Sequence, residues 1–307
     1  MIDPIAVDPI AVDWIAVDWG TSNLRAWAMA GEAAVAARSS DQGMGRLAPG
    51  DYPAVLAAIT EGWRRPGASL PTLVCGMAGA RQGWAEAPYL PVPAAPGPAG
   101  AVTPADAPPG LAVRILPGLS QTAPRADVMR GEETQVAGVL RLIPGFEGTI
   151  CLPGTHCKWV AVQEGMVAGF QTFMTGEIFA LLSGQSVLRH GMGPGLDGDA
   201  FAAGLREAEA AGGRIWADLF PLRAAGLLEG LPGDAARGRL SGLLIGAELA
   251  ATRGWRLGRR VAVVGAGGLA DLYARALEAE GVAAERVEAE VATLAGLIAA
   301  RSALEAA

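Results

Sequence analysis

A short segment near the start of the sequence carries residue types suited to phosphate chemistry. Asp18 closes the apolar run Ile15–Val17 and is followed by Gly20, Thr21 and Ser22. Such a turn can aim backbone N–H groups and hydroxyls at a phosphate, while the carboxylate holds Mg²⁺ directly or through water. The same residues also suit the tip of an ordinary hairpin, so this turn alone leaves both interpretations open.

A second turn repeats the arrangement in the other half of the chain. Gly154 and Thr155 stand between apolar runs that end at Leu152 and resume at Trp159, with Lys158 beside them. Because N–H groups in such turns attract anions, two turns of this kind could grip one polyphosphate from both sides. The pair indicates a nucleotide site more strongly than either turn alone.

A third cluster, of glycines, follows the apolar run Val261–Val264 and opens a helical pattern. Its members are Gly265, Gly267 and Gly268. A turn that contacts a nucleotide has this order of strand, glycines and helix. With Ala270 it also fits G-x-G-x-x-A, and Glu285 or Glu288 could meet a ribose, as in an NAD(P)-dependent oxidoreductase. Some 40 residues follow the cluster, which is short for a complete dinucleotide fold beginning there.

The composition limits the classes of partner. The 307 residues include 24 Lys+Arg and 31 Asp+Glu, for a net charge of −7. This balance argues against nucleic acid, because binding a phosphate backbone needs a surplus of basic residues, but it allows a small anionic ligand. The three cysteines, the lack of a membrane-length apolar run and the lack of a signal-peptide pattern predict a cytoplasmic protein with no membrane partner.

Strand-like and helical patterns alternate along the chain, which predicts an α/β protein. The predicted strands cover 15–18, 25–29, 72–75, 112–116, 149–152, 159–162 and 261–264. The predicted helices cover 52–63, 128–142, 177–188, 198–211, 240–252 and 269–280. A proline-rich stretch over 88–109 is expected to be a surface excursion.

The length suggests two domains or one large one. We expect an N-terminal α/β domain over 14–125, a C-terminal α/β domain over 126–290, and a helix over 291–307 as a candidate to complete the first domain. A five-residue repeat begins at Asp3, Asp8 and Asp13, and only its last copy runs on into the Asp18 turn. Residues 1–13 are therefore predicted to be a duplicated, disordered extension.

Five blocks of the sequence resemble those of 2-dehydro-3-deoxygalactonokinases. They are Asp18–Ser22, Gly76–Trp84, Asp127–Gln135, Leu152–Trp159 and Met174–Glu177. The resemblance runs from about Trp14 to the C-terminus, and Cys157 departs from the small hydroxyl residue expected there. That family belongs to the sugar kinase/Hsp70/actin superfamily. The resemblance implies two related ribonuclease H-like domains of the actin/hexokinase type around a nucleotide cleft, with ATP and Mg²⁺.

The reaction implied by the resemblance is phosphorylation of the 6-hydroxyl of 2-dehydro-3-deoxy-D-galactonate, in galactonate catabolism. It needs a metal, donors around the γ-phosphate and a carboxylate that accepts the hydroxyl proton. Asp18 is the candidate for Mg²⁺ and Asp127 the first candidate for the base, with Glu132 and Glu133 as rivals. Both glutamates are equally typical of a first helical turn. The nucleotide would be held by Gly20, Thr21, Ser22, Gly154, Thr155, Lys158, Gly265, Gly267 and Gly268.

The sugar acid carries a carboxylate, so a guanidinium is expected on its side of the site. Arg81 is the first candidate and Arg130 the second, with a surface ion pair as the alternative role of Arg81. The neighbours Gln82 and Trp84 are further candidates for substrate contact, and Glu177 would either bind substrate hydroxyls or cap a helix. A non-catalytic sugar-acid sensor with the same fold is the alternative to an enzyme. The oligomeric state stays open, with a homodimer as one candidate.

Overall fold

The computed structural model describes residues 12–64, 67 and 69–306. Residues 1–11, which hold most of the predicted extension, lie outside the described residues, whereas Val12 and Asp13 lie within them. The amide of Asp13 donates a 2.7 Å hydrogen bond to the carbonyl of Met29, so the described chain is already paired at this point. In the described part of the chain, no helix has the length and apolar character needed to cross a membrane.

The chain divides into two compact units. Unit 1 comprises residues 1–146, 165–169 and 289–307, and unit 2 comprises residues 147–164 and 170–288. The first boundary therefore follows Phe146, some twenty residues later than the predicted boundary after residue 125. The helix between these two positions packs in unit 1, against the helix near the C-terminus.

Unit 1 is built on a five-stranded sheet in the order β3-β2-β1-β4-β6. Its strands are β1 (Trp14–Trp19), β2 (Leu24–Ala30), β3 (Ala33–Ser40), β4 (Leu70–Gly76) and β6 (Leu111–Ile115). β1 pairs antiparallel with β2 and parallel with β4, which in turn pairs parallel with β6. A smaller sheet has the order β5-β7-β8, with β5 (Tyr89–Pro91), β7 (Gly118–Gln121) and β8 (Asp127–Met129).

The sheet associated with unit 2 has the order β11-β10-β9-β12-β13. Its strands are β9 (Gly148–Leu152), β10 (Cys157–Gln163), β11 (Met166–Phe173), β12 (Arg260–Val264) and β13 (Ala284–Val287). β9 pairs antiparallel with β10 and parallel with β12, and β12 pairs parallel with β13. Both five-stranded sheets thus run third, second, first, fourth, fifth in chain order. This shared ribonuclease H-like order confirms the predicted pair of related α/β units.

Helices cover the sheets. They are α1 (Tyr52–Ile59), α2 (Glu132–Leu142), α3 (Thr175–Gly184), α4 (Gly198–Ala210), α5 (Trp216–Leu228), α6 (Gly233–Ala251), α7 (Arg253–Arg256), α8 (Gly267–Ala279) and α9 (Ala289–Glu305). Successive residues of β1 are buried on opposite faces of its sheet. Ile15 and Val17 pack in the cluster that includes Leu56 of α1, whereas Trp14 packs in the cluster that includes Leu297 of α9. Burial on both faces explains why β1 reads as a continuous apolar run.

Several elements differ from the predictions. The helix predicted over 128–142 begins only at Glu132, because Asp127–Met129 forms β8 and pairs with β7. Part of the proline-rich stretch is β5, which pairs with β7 and is not simply a surface excursion. Further elements were not predicted, namely β3, β7, β11, β13, α5 and α7.

Candidate active site

The first site element is Asp18, near the carboxyl end of β1. It lies opposite Arg25 of β2 and Cys75 of β4 in the sheet register. The Cys75 thiol donates to the Asp18 carboxylate at 3.8 Å. Burial raises the pKa of Asp18 above its usual value, and the charge of Arg25 partly opposes the effect. Ligands of α/β sheets bind at the carboxyl ends of parallel strands, which is where this carboxylate lies.

The turn after Asp18 is held by a second segment that the sequence did not reveal. The Gly20 amide donates to the Asn23 carbonyl at 2.8 Å, which closes the turn. The Met44 amide then donates to the Gly20 carbonyl at 3.0 Å. A side chain at Gly43 would collide with the backbone of the turn at Asn23, so only glycine fits there. Thr21 and Ser22 are left exposed at the tip, as a phosphate-binding turn requires.

The first turn of α2 reaches the same end of the unit 1 sheet. Gly131 approaches the end of β4 closely, since a β-carbon on it would lie 3.4 Å from the α-carbon of Gly76. The buried Glu133 carboxylate accepts a 2.7 Å hydrogen bond from the Gly131 amide and a 3.2 Å bond from the Thr134 hydroxyl. Burial raises the pKa of Glu133 to about 8, and the nearby charge of Glu132 adds to the shift.

The thiol of Cys75 lies within the electrostatic reach of both carboxylates. Burial raises the pKa of this thiol well above its usual value, and the negative charges of Asp18 and Glu133 raise it further. Two acidic groups of unit 1, from β1 and α2, therefore face one buried thiol on β4. Perturbed titratable groups gathered at the ends of parallel strands are typical of an active site.

The three candidates for the base occupy different positions. Asp127 lies in β8 opposite Gln121 and accepts a hydrogen bond from the Val128 amide at 2.8 Å. The expectation that it stands at the start of a helix is therefore wrong. Glu132 and Glu133 are the residues in the first turn of α2, and Glu132 accepts a 3.1 Å bond from the Arg130 amide.

The two arginine candidates differ sharply in environment. Arg81 is 80% exposed and lies 3.4 Å from the carboxylate of Glu86. Arg130 is buried, stacks on the Tyr89 ring at 4.2 Å and donates to the Ala87 carbonyl at 2.7 Å. Arg130 is thus built into the wall of unit 1, whereas the Arg81 guanidinium is accessible.

The two neighbouring candidates, Gln82 and Trp84, also differ in exposure. Gln82 is exposed next to Arg81, but Trp84 is buried and packs with Trp19 and Tyr52 in an aromatic cluster. The indole N–H of Trp84 donates to the Asp106 carboxylate at 2.7 Å. Trp84 therefore anchors the loop that carries Arg81 and Gln82 and presents little surface of its own.

In unit 2, the second Gly-Thr turn packs on the start of α3. The Glu177 amide donates to the Thr155 carbonyl at 3.0 Å, and a side chain at Gly176 would collide with the carbonyl of Gly154. At the tip of the turn, the His156 Nε2 lies 2.6 Å from the Glu177 carboxylate. Glu177 thus supports the turn, an arrangement that neither of its predicted roles included.

A buried glutamate that the sequence did not single out lies beneath this turn. Glu248 of α6 accepts hydrogen bonds from the Trp159 indole at 2.7 Å, the Tyr273 hydroxyl at 2.7 Å and the Thr175 hydroxyl. The Cys157 thiol donates to the same Tyr273 hydroxyl at 2.9 Å. One carboxylate therefore ties together β10, α3 and α8. Its burial raises its pKa, an effect that the three donors oppose.

These elements enclose a pocket of about 310 Å³ within unit 2. Gly154, Thr155, Thr175 and Gly176 line one part of it. The other lining side chains are mainly apolar, and they are Phe179, Leu196, Leu244, Ile245, Leu269, Leu272 and Tyr273, with Arg237 and Ser241. The pocket is of the size and character that suit a small ligand with an apolar ring and a polar tail.

The remaining nucleotide candidates border this region. Lys158 is buried within β10. Gly267 and Gly268 open α8, whose Leu269, Leu272 and Tyr273 face the pocket, while the glycines themselves do not line it. Gly265 packs against Ala270 at the start of that helix, with no room for a β-carbon.

The described residues contain no group of three or more His, Cys, Asp or Glu that could hold a metal by itself. Mg²⁺ with a nucleotide uses one or two carboxylates, and phosphate and water oxygens complete its shell. The carboxylate of Asp18 at the end of β1 fits that requirement.

A family model described as 2-keto-3-deoxy-galactonokinase matches residues 18–300. The chain belongs to this family. Among the family's proteins, the "Probable 2-dehydro-3-deoxygalactonokinase" of Rhizobium meliloti (strain 1021) is 42% identical over 302 residues, which cover 93% of this chain and 95% of that protein. The 2-dehydro-3-deoxygalactonokinase of Escherichia coli (strain K12) is 38% identical over 281 residues, 91% of this chain and 94% of that one.

A solved structure of the 2-keto-3-deoxy-galactonokinase family shares the fold. A crystal structure from Sinorhizobium meliloti, assigned to the same activity, superposes with a TM-score of 0.85 at 39% identity. The match covers 95% of this chain and 99% of that one. The fold described above is therefore shared with that structure.

Proposed function

We propose that the protein is an ATP-dependent kinase that phosphorylates the 6-hydroxyl of 2-dehydro-3-deoxy-D-galactonate, in galactonate catabolism. The observation that carries this proposal is the family match over residues 18–300. The names of relatives that align with more than nine-tenths of the chain support it. No specific observation favours an oxidoreductase or a non-catalytic sensor. We place the reaction in the cytoplasm, which fits three cysteines that are all unpaired.

The unit 2 pocket supports the nucleotide part of the proposal. Its apolar side chains suit an adenine ring, and the Arg237 guanidinium lies 5.0 Å from the Phe179 ring at its wall. The turn at Gly154 and Thr155 borders the same pocket and would meet the phosphates. The glycines Gly265, Gly267 and Gly268 would shape the adenosine side by setting the start of α8.

The unit 1 turn supports the phosphoryl-transfer part. Asp18 would hold Mg²⁺ through water, and Thr21 and Ser22 would donate to the phosphates. When bound, Mg²⁺ would neutralise phosphate charge as the phosphoryl group is transferred. Asp18 must be ionised for this role, and the guanidinium of Arg25 favours its ionised form.

We assign the proton acceptor to Glu133. A carboxyl with a pKa of about 8 takes up a proton more readily than an ordinary glutamate, which suits a base that must accept a proton from a sugar hydroxyl. Its charge acts on the same buried thiol of Cys75 as the charge of Asp18, which supports the assignment over Asp127 in β8. Glu132, one residue earlier, is the nearest rival.

We assign the substrate carboxylate to Arg81. Its guanidinium is exposed and forms an ion pair with Glu86 at the surface, so it can form a charge-assisted bond with a carboxylate. Gln82 beside it would add a hydrogen bond. Arg130 would act indirectly, by fixing Ala87 and Tyr89 behind the loop that carries Arg81.

An assay of ADP release, coupled to a spectrophotometric readout, tests the proposed reaction. ATP, Mg²⁺ and 2-dehydro-3-deoxy-D-galactonate should give ADP in proportion to the sugar acid consumed, with the phosphate on the 6-oxygen. The same assay with the gluco epimer measures specificity. Oxidation or reduction of a nicotinamide cofactor without ADP would overturn the kinase assignment, and binding of both ligands without turnover would favour the sensor.

A further inference from the structure

Ser241 of α6 carries a buried hydroxyl that has no hydrogen-bond partner in the described part of the chain. The residue is 5% exposed and lines the unit 2 pocket. A serine or threonine of a helix often donates to the carbonyl four residues earlier, as Thr252 does to Glu248 at 2.9 Å. Ser241 makes no such bond, and an unbonded buried hydroxyl costs about 1–3 kcal/mol. Its hydroxyl is therefore available to a molecule in the pocket.

Arg237 lies one turn before Ser241 on the same side of α6. Arg237, Ser241 and Leu244 are four and seven residues apart, which places them within about 60° of one another around the helix axis. The Arg237 guanidinium stacks on Phe179 of α3, and among the described residues it forms no ion pair. The pocket therefore presents an unpaired guanidinium next to an unbonded hydroxyl.

The other polar side chains of the pocket are already engaged. The hydroxyls of Thr175 and Tyr273 donate to the buried carboxylate beneath the turn, and Thr155 belongs to the turn that would meet the phosphates. The described residues that line the pocket include no Asp, Glu, Asn or Gln. Two side chains are left to contact the base of a nucleotide. Arg237 has only donors, whereas the hydroxyl of Ser241 can either donate or accept.

We propose that Arg237 and Ser241 read the purine base, and that they admit guanine and hypoxanthine as well as adenine. Where adenine has an amino group, the other two bases have a carbonyl oxygen. The Ser241 hydroxyl can accept a hydrogen bond from the amino group or, after rotation, donate one to the carbonyl. The Arg237 guanidinium can donate to N7 of adenine, or to N7 and the carbonyl oxygen of guanine. Strong rejection of a ligand requires that it leave a buried polar group unpaired, and none of these bases does so here.

The inference rests on the proposed kinase activity and extends its phosphoryl donor from ATP to GTP and ITP. The transfer is the same for all three nucleotides. The bond between the γ-phosphorus and the oxygen that bridges it to the β-phosphorus breaks, and a bond from the γ-phosphorus to the sugar 6-oxygen forms. The hydroxyl proton passes to Glu133, and ADP, GDP or IDP leaves.

Binding and turnover of the three nucleotides by the full-length natural protein test the proposal. By calorimetry, we expect ADP, GDP and IDP to bind with dissociation constants within about tenfold of one another. With Mg²⁺ and the sugar acid, GTP and ITP should each replace ATP in the turnover assay. If GDP and IDP bind more than about tenfold more weakly than ADP, the proposal is overturned while the kinase assignment stands. If no nucleotide binds, the proposed function fails as well.

Two variants test the two contacts separately. Ser241→Ala should weaken binding of both ADP and GDP by roughly two- to tenfold, the value of one neutral hydrogen bond. Arg237→Met keeps the length of the side chain but removes its donors. It should weaken binding of GDP by roughly tenfold or more and binding of ADP less, so that the ratio of the two dissociation constants changes.

Arg239→Met is the matched control for Arg237→Met. Arg239 also lies on α6, but it pairs with Glu207 at 2.9 Å and does not line the pocket, so its replacement should leave the ratio unchanged. The ratio compares two ligands on the same variant, and partial loss of folded protein therefore does not alter it. An unchanged ratio in Arg237→Met would overturn the contact of Arg237 with the base. Unchanged binding of both nucleotides in Ser241→Ala would overturn the contact of Ser241.

Discussion

The amide of Gly131 donates a 2.7 Å hydrogen bond to the carboxylate of Glu133, two residues further along the chain. Gly131 has a φ of 104°, a backbone conformation that glycine adopts without the strain a side chain would cause. This bond folds the Glu133 side chain back over the start of its own helix. The carboxylate is thereby fixed where its charge acts on Cys75, close to Asp18.

Replacing this carboxylate should stop turnover without preventing nucleotide binding. We expect Glu133→Gln to lower kcat by roughly 10²–10⁴, the usual contribution of a positioned base, with little change in KM for ATP. Glu132→Gln and Asp127→Asn are the matched comparisons and should retain most of the activity. Steady-state kinetics decide the assignment. Loss of turnover in Asp127→Asn with an active Glu133→Gln would move the base to β8.

The raised pKa of Glu133 also predicts how stability changes with pH. The carboxyl ionises near its ordinary value of 4.5 in the unfolded chain but near 8 in the folded protein. Below pH 4.5 the Glu133 carboxyl holds its proton in both the folded and the unfolded state, and its contribution to the free energy of unfolding is fully present. As the pH rises towards 8, the unfolded chain loses the proton first, and this contribution is lost. Above that value the loss amounts to roughly 2–5 kcal/mol.

Glu133→Gln should remove this loss. The difference in free energy of unfolding between variant and natural protein should shift in favour of the variant from pH 4.5 to pH 8, measured by urea denaturation at several pH values. Glu61→Gln, at an exposed glutamate, is the control and should give a constant difference. A constant difference for Glu133→Gln as well would show that its pKa is ordinary.

Glu248→Gln should affect nucleotide binding specifically. The amide keeps the size of the side chain but replaces an acceptor with a donor facing Trp159, Thr175 or Tyr273, which costs about 1–3 kcal/mol for an unsatisfied buried group. Because Thr175 and Tyr273 line the unit 2 pocket, we expect KM for ATP to rise roughly tenfold while KM for the sugar acid stays within twofold.

The control for Glu248 is Glu278→Gln on the exposed side of α8, which should change neither KM. Thermal unfolding of each variant separates the two possible effects. A lower Tm for Glu248→Gln with both KM values unchanged would mean that the buried carboxylate stabilises the fold without positioning the pocket.

Two glycines of α3 give a matched test of the second phosphate turn. A methyl group at Gly176 would collide with the Gly154 carbonyl, whereas one at Gly184 meets nothing within 4 Å. Gly176→Ala should therefore displace the turn and raise KM for ATP by roughly 10–100-fold, since a contact of this kind is worth about 1–3 kcal/mol. Gly184→Ala should leave KM unchanged. Equal kinetics in the two variants would show that this turn does not contact the nucleotide.

Arg81→Ala should weaken binding of the sugar acid. Loss of a charge-assisted bond to its carboxylate should raise KM for the sugar roughly 10–100-fold, with a smaller effect on KM for ATP. Arg114→Ala, at another exposed arginine of unit 1, is the control. If Arg81→Ala binds the sugar acid normally, the carboxylate is recognised elsewhere, and Arg81 forms a surface ion pair with Glu86.

The sequence revealed those features that depend on neighbouring residues. The strand before Asp18 is an apolar run because both faces of β1 are buried, and the two Gly-Thr turns follow directly on their strands. Features that depend on distant residues were not visible. In the sequence, Glu248 is simply one position of a helical pattern. Its role as a hydrogen-bond acceptor depends on three residues from other elements, namely Trp159 of β10, Thr175 of α3 and Tyr273 of α8.

Local features of the chain explain why the start of α2 and the helix α5 were predicted wrongly. The sequence of Asp127–Met129 does not strongly favour either a helix or a strand. Because this segment pairs with β7, it forms the strand β8, and α2 begins later than predicted. α5 was missed because it contains Pro221, a residue that usually interrupts a helix. Its apolar residues face outwards and therefore do not match the pattern of a helix covering a core.

Packing of α9 in unit 1 has a consequence for synthesis of the chain. Leu297 and Ile298 belong to the same buried cluster as Trp14 and Leu73, although more than two hundred residues separate them from those strands. As the chain leaves the ribosome, the strands of unit 1 emerge first but lack the helix that covers one of their faces. That face stays uncovered until unit 2 and then α9 have been translated. The growing chain therefore exposes an apolar sheet during most of its synthesis, which is when we expect it to need chaperones most.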